Sequence, residues 1–317
     1  MSALSVLPAL RGPQWVAARQ HRSTARVFTA LILLCAVFVA AFLITLALSD
    51  DPASVSARGA DTGLTLALNT SLVPLSLLPA LVGAFVAGPL VARELESGTY
   101  TWLWTQSVTP VRWLATKLAL TTAVTLTGTT ALVLLFRAAR DGLPEGSLRF
   151  SWYGTAYEML GPGVVAQCAL GIGVGALVGL LVRRTVPAMV VTAVVVFVAQ
   201  SALTMGLREL LWPVRTLVSK TPIESLHTPQ VWTLTEGMLT SDGTRILNDT
   251  CNGPTGVGST FEECMTGLGG VTHFADVHPE SHFWPLQLVG SGLLLALAAI
   301  AVALAFRVLR GRHAGAS

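Results

Sequence analysis

Six stretches of this chain run for about twenty residues each without one Asp, Glu, Lys or Arg, and this constrains its fold more than any other feature. They cover residues 27–49, 71–92, 118–136, 161–182, 186–206 and 285–306. An α-helix rises 1.5 Å per residue, so about twenty apolar residues cross the roughly 30 Å hydrocarbon layer with every backbone group bonded inside the helix. Composition agrees: 52% apolar and 12% charged residues, with a mean hydropathy of +0.66, are wrong for a water-soluble chain of 317 residues. The expected fold is an all-α integral membrane protein with six transmembrane helices. The first apolar stretch is longer than a signal core and follows Arg11, Arg19, Arg22 and Arg26, so it is expected to remain as an anchor.

Charge sets the expected orientation. With the amino terminus placed in the cytoplasm and the side alternating, twelve of the 20 Lys and Arg fall inside. They are the four arginines before residue 27, then Arg93, Arg112, Lys117, Arg183, Arg184, Arg307, Arg310 and Arg312. The only acids there are Glu94 and Glu96, against 15 of the 17 acids outside. Segment 137–160, with Arg137, Arg140 and Arg149 against Asp141, Glu145 and Glu158, reads either way. The expected map is a cytoplasmic tail with an interfacial helix over 1–26, spans one to five over 27–206, an extracytoplasmic segment over 207–284, span six over 285–306 and a cytoplasmic tail over 307–317. The scattered basic residues form no patch with interleaved aromatics, so no nucleic-acid partner is expected. Lys117 and Lys220 are the only lysines, and the heavy Ala, Gly and Val usage suggests a GC-rich bacterial genome and hence a bacterial inner membrane.

Segment 207–284 is rich in Gly, Pro, Ser and Thr, with an amphipathic stretch GLRELLWPV suited to the outer headgroups. It holds Cys251 and Cys264, which would meet an oxidising environment. Either they form a disulfide, closing a short loop with a stabilisation of about 3 kcal/mol, or they are two free thiols. Cys35 and Cys168 sit inside spans as small packing residues. His273, His278 and His282 also cluster in 207–284, as metal ligands or as solvated histidines. The run HPESH lacks the helical metalloprotease spacing, and no metal site is expected.

The polar content of the spans is amide and hydroxyl: Gln167, Gln200 and the threonines Thr121, Thr122, Thr125, Thr127, Thr129 and Thr130 of span three. Either these pack helices together or they line a path. An ion-coupled carrier needs ionisable groups within the membrane, and the spans have none. Gly171, Gly175 and Gly179 form a small-residue stripe for close helix packing. Pro74, Pro79 and Pro89 with Gly83 and Gly88 predict a kinked, partly unwound span two. No phosphate-binding loop, GxSxG, HExxH or kinase motif occurs, so any work must draw on energy from another chain.

The most informative stretch is the cytoplasmic loop 93–117, entered through Arg93, Glu94 and Glu96. Ser97 and Gly98 then interrupt the helix, Tyr100, Trp102 and Trp104 seek the interface, and Thr109-Pro110 opens a new helix. Together with Thr99, Thr105, Gln106, Ser107, Arg112, Trp113 and Lys117, this pattern resembles the permease subunits of type-2 ABC exporters, particularly actinobacterial ones. PQWVAARQHR at residues 13–22 is similar to that family's interfacial connecting helix, and six spans with both ends inside agree with it.

The resemblance implies a permease that is not itself an enzyme and exports a hydrophobic or amphipathic compound such as a drug, antibiotic, lipid or peptide. It implies a separate cytoplasmic ATPase that holds ATP and Mg, with no cofactor on this chain, and a second permease copy or relative alongside. It also implies ATPase contact through Arg93, Glu94, Glu96, Gly98, Thr99, Gln106 and Arg112. The segment 207–284 is longer than a minimal permease requires. The alternative is a membrane-anchored sensor or assembly factor without transport activity.

Overall fold

A computed structural model describes residues 76–99, 109–141, 152–153, 155–223, 231–251 and 261–314, with scattered helical positions between Arg26 and Ile44. Among the described residues, five helices are long and apolar enough to cross a membrane. Helix α1 is Leu78–Glu96, α2 is Pro110–Asp141, α4 is Gly163–Val182, α5 is Thr185–Ala202 and α7 is Phe283–Ala314. Short α3, Thr155–Met159, precedes α4. These match predicted spans two to six; most of predicted span one lies outside the described residues.

Helix α4 is the centre, packed against α1, α2, α5 and α7. Of its apolar window 67% is buried, against 17% for α5, which presents most of its surface outward. The glycine stripe explains the packing. A Cβ on Gly175 would stand 2.5 Å from Ala87 Cβ, and one on Gly88 would stand 2.8 Å from Met189 Cα, so α1 meets α4 and α5 backbone to backbone. Gly171 and Gly179 continue the stripe against Gly83 and Ala92.

Helix α1 is not unwound. It stays helical but widens to a π-helix over Val82–Ala87, where the Gly88 amide donates to the Gly83 carbonyl five residues back. Pro89 has no amide proton to give the ordinary carbonyl, and this relaxes the ladder just before it. Helix α2 begins as the Thr109-Pro110 pair requires, with Arg112 N donating to Thr109 Oγ1 at 3.4 Å. Thr121, Thr125 and Thr129 are fully buried along α2, and Thr129 Oγ1 bonds the Thr125 carbonyl at 2.8 Å and the Cys168 sulfur at 3.7 Å. That is helix packing rather than a wet path. Helix α4 ends at Arg183, which takes a left-handed conformation with φ 56°, and Arg184 is extended, so α5 turns straight back.

The all-α expectation fails in 207–284. After a π-turn at Leu203–Leu207 and a short helix Arg208–Leu210, the chain forms β1 (Arg215–Ser219), β2 (Val231–Thr240), β3 (Arg245–Leu247) and β4 (Gly270–Pro279). They make one antiparallel sheet in the order β1-β4-β2-β3. The physical reason is local: β2 and β4 are rich in Val, Thr and aromatic residues that suit a half-buried pleat, and Asp242-Gly243 makes the tight β2–β3 turn, with Gly243 at φ 86°. Helix α6, Phe261–Gly267, is tied back by Cys251–Cys264, S–S 2.03 Å. The sheet docks on the bundle through aromatic rings. Trp152 is fully buried, with Trp232 of β2 and Phe283 of α7 edge-on at 6.0 and 6.1 Å.

Candidate functional site

The loop residues singled out by sequence converge where α1 ends, α2 begins and α4 turns into α5. Helix α1 is capped by Ser97, and Gly98 at φ 70° reverses the chain as the Ser-Gly interruption requires. Ser97 Oγ and Thr99 Oγ1 lie 3.0 Å apart in this turn. Gln106 lies outside the described residues.

Both acids are engaged within the chain. Glu94 pairs with Lys117 of α2 at 2.6 Å and accepts the Trp113 Nε1 proton at 2.9 Å. Lys117 also donates to the Leu90 carbonyl at 3.0 Å and is 7% exposed, so this lysine clamps α1 to α2 instead of facing water. Trp113 beside it packs into the core formed with Leu90, Leu114, Leu180 and Leu309. Glu96 takes the amide proton of Thr185 at 2.8 Å and also the Thr185 hydroxyl proton. A carboxylate on α1 thus caps the amino end of α5, where the helix has free amides and a positive dipole end.

Around these acids, Arg93, Arg112, Arg183 and Arg184 are all exposed. The result is a basic surface with two engaged carboxylates at its edge, each holding a different helix to α1. The tip of α1 is thereby fastened to both α2 and α5. Lys117 and Trp113 belong to the loop pattern, yet nothing in their sequence position marks the clamp they form, and Thr185 follows an Arg-Arg pair that signals only a span boundary.

The opposite end of the bundle carries a second polar cluster. Arg208 and Glu158 form a buried ion pair, 4% and 7% exposed at the side chain, and Gln167 Nε2 donates to the other Glu158 oxygen at 2.7 Å. The Arg208 guanidinium lies 4.0 Å from the Tyr157 ring centroid. Gln287 bridges the Gly163 amide at 3.0 Å and the Tyr157 carbonyl at 2.7 Å. Burial pushes the Glu158 carboxyl above its ordinary value, opposed by Arg208 and the Gln167 amide. Nearby, His278 and His282 bring their Nδ1 atoms to 2.9 Å, and burial with the neighbouring imidazole holds His278 below the ordinary imidazole value. Among the described residues no three His, Cys, Asp or Glu side chains converge as a metal would require.

Comparison with known proteins adds a family to this geometry. The sequence pattern of a family described as ABC-2 membrane transporter related matches residues 28–208. No curated protein and no solved structure matches the chain significantly.

Proposed function

We propose, because this chain belongs to the ABC-2 membrane transporter related family and is thereby a membrane transport subunit rather than an enzyme, that it is the permease half of an ATP-driven exporter. In this reading a separate ATPase binds ATP and Mg on the cytoplasmic side, and a second permease copy or relative completes the path. The cargo is a hydrophobic or amphipathic compound. The Arg183 end of the bundle faces the cytoplasm, both termini lie there, and the sheet of 207–284 lies outside the bacterial cell membrane.

One observation carries the reading. The acids at the end of α1 hold α2 through Lys117 and α5 through Thr185, while the arginines beside them stay exposed. In this reading Arg93 and Arg112 touch the ATPase directly, and Glu94 and Glu96 act by holding the helices that the ATPase moves. The test is co-purification with a candidate ATPase, followed by ATP hydrolysis in proteoliposomes. Arg93→Glu with Arg112→Glu is expected to abolish ATPase binding while leaving the permease folded. Unchanged binding and turnover in that variant would sink the coupling role.

The folded, disulfide-closed sheet favours a second reading, a membrane-anchored sensor or assembly factor whose sheet binds a partner. Such a protein would purify without an ATPase and move nothing in vesicles.

A further inference from the structure

At its sheet end the bundle leaves a small, half-open cavity between α4, α7 and the Arg208 turn, of about 20 Å³. That volume admits one hydroxyl, one amide nitrogen or a water, and nothing larger. Two residues that line it, only 2% and 6% exposed, each carry a buried oxygen with no hydrogen-bond partner: Gln167 Oε1 and Ser291 Oγ. The Gln167 amide is not free to turn over. A carboxylate only accepts, so the amide must present its nitrogen to Glu158, and this leaves its oxygen without a partner.

The site is electrically balanced, because Glu158 and Arg208 neutralise each other. An entering carboxylate would meet the Gln167 oxygen and the Glu158 carboxylate, both acceptors, and an entering ammonium would lose its hydration beside Arg208. Leu203 and Leu294 give the wall an apolar side, Tyr157 and Gln287 complete its polar side, and the rim at Leu211 and Gly290 is partly exposed. A Cβ at Gly290 would come into ordinary contact with Leu211 at 3.5 Å, so the glycine leaves extra room at that rim.

We propose that this cavity binds the uncharged hydroxyl head of an otherwise apolar molecule, with the hydroxyl donating to Gln167 Oε1 and bonding Ser291 Oγ. The chain of the guest leaves past Leu211 and Gly290 toward the exposed face. The claim concerns binding alone, so its failure leaves the transport reading untouched.

The test uses the full chain in lipid nanodiscs, with decan-1-ol as the probe and decane and decanoate as chain-matched controls, read by thermal unfolding through tryptophan fluorescence. Decanol is expected to raise Tm in a saturable way, and the two controls only in proportion to their content in the lipid. Ser291→Ala, a small change in a helix, should weaken the apparent decanol affinity by about fivefold, the worth of one hydrogen bond. Ser291→Thr should retain it, and the outward-facing Leu288→Ala should behave as wild type. Three results would overturn the proposal: no saturable decanol shift, as for a cavity filled by water alone; equal shifts from decane; or an unaltered affinity in Ser291→Ala.

Discussion

The two ends of the helix bundle use the same chemistry in opposite ways. At the Arg183 end, Glu94–Lys117 and Glu96–Thr185 fasten helices at the edge of a surface where four arginines stand exposed. At the sheet end, Glu158–Arg208 is sunk among Tyr157, Gln167 and Gln287 and roofed by the Trp152–Trp232 cluster. One end keeps its carboxylates beside an exposed basic surface and the other keeps its pair from water. The lesson is that a carboxylate–cation pair in a membrane bundle takes its role from what covers it, because the cost of losing a partner rises as water is excluded.

The contrast can be broken or sharpened by substitution. Arg208→Ala strands a buried carboxylate and is expected to lower unfolding stability in mixed micelles by about 3–5 kcal/mol. The double change Glu158→Gln with Arg208→Met should recover much of that loss, since it leaves no charge unpaired. Lys117→Met leaves Glu94 with partial access to water and with the Trp113 donor still in place, so the same measurement should show about 2 kcal/mol. Equal losses at the two ends would erase the distinction.

Acid should act chiefly at the sheet end. The folded value of His278 is depressed, so the folded state binds fewer protons than the unfolded chain there. Its contribution is present above about pH 6.5, the unfolded value, and is lost as pH falls through the lower folded value. Thermal unfolding followed between pH 7.5 and 5 should show that loss in wild type and a flatter profile in His278→Phe. Glu96→Ala should give the smallest stability change of the set, because the Thr185 cap is exposed, yet in the proposed coupling role it should reduce ATP-driven turnover. A variant with full turnover would confine Glu96 to capping.

Much of the bundle is legible in the sequence, for reasons that particular residues display. Pro110 after Thr109 can only open a helix, Gly175 can only be small where Ala87 presses on it, and Pro89 deprives the turn before it of a donor. The sheet is harder. Its longest-range pairing joins residue 215 to residue 277, and no local pattern declares a partner some sixty positions away. Even so, Asp242-Gly243 is a strong hairpin signal between Thr-rich runs and was open to reading. Glu158 and Arg208 each flank a predicted span with opposite charge, so both are visible separately. Their meeting depends on how α3 and the Arg208 turn pack, which linear spacing does not encode. For Glu94 and Glu96 the difficulty is similar: a charged loop reads as solvent-facing until Lys117 is seen to fold back onto Leu90.

The π-helical stretch Val82–Ala87 has a further consequence for α1. An α-helix advances about 100° per residue, so one surplus residue in that wide turn sets the angular phase of everything after it. Deleting a single residue there would rotate the Glu94–Glu96 tip by about that angle. Glu94 would swing away from Lys117 and Glu96 away from Thr185. The bulge therefore serves as the timing mark that brings both carboxylates to their partners at once.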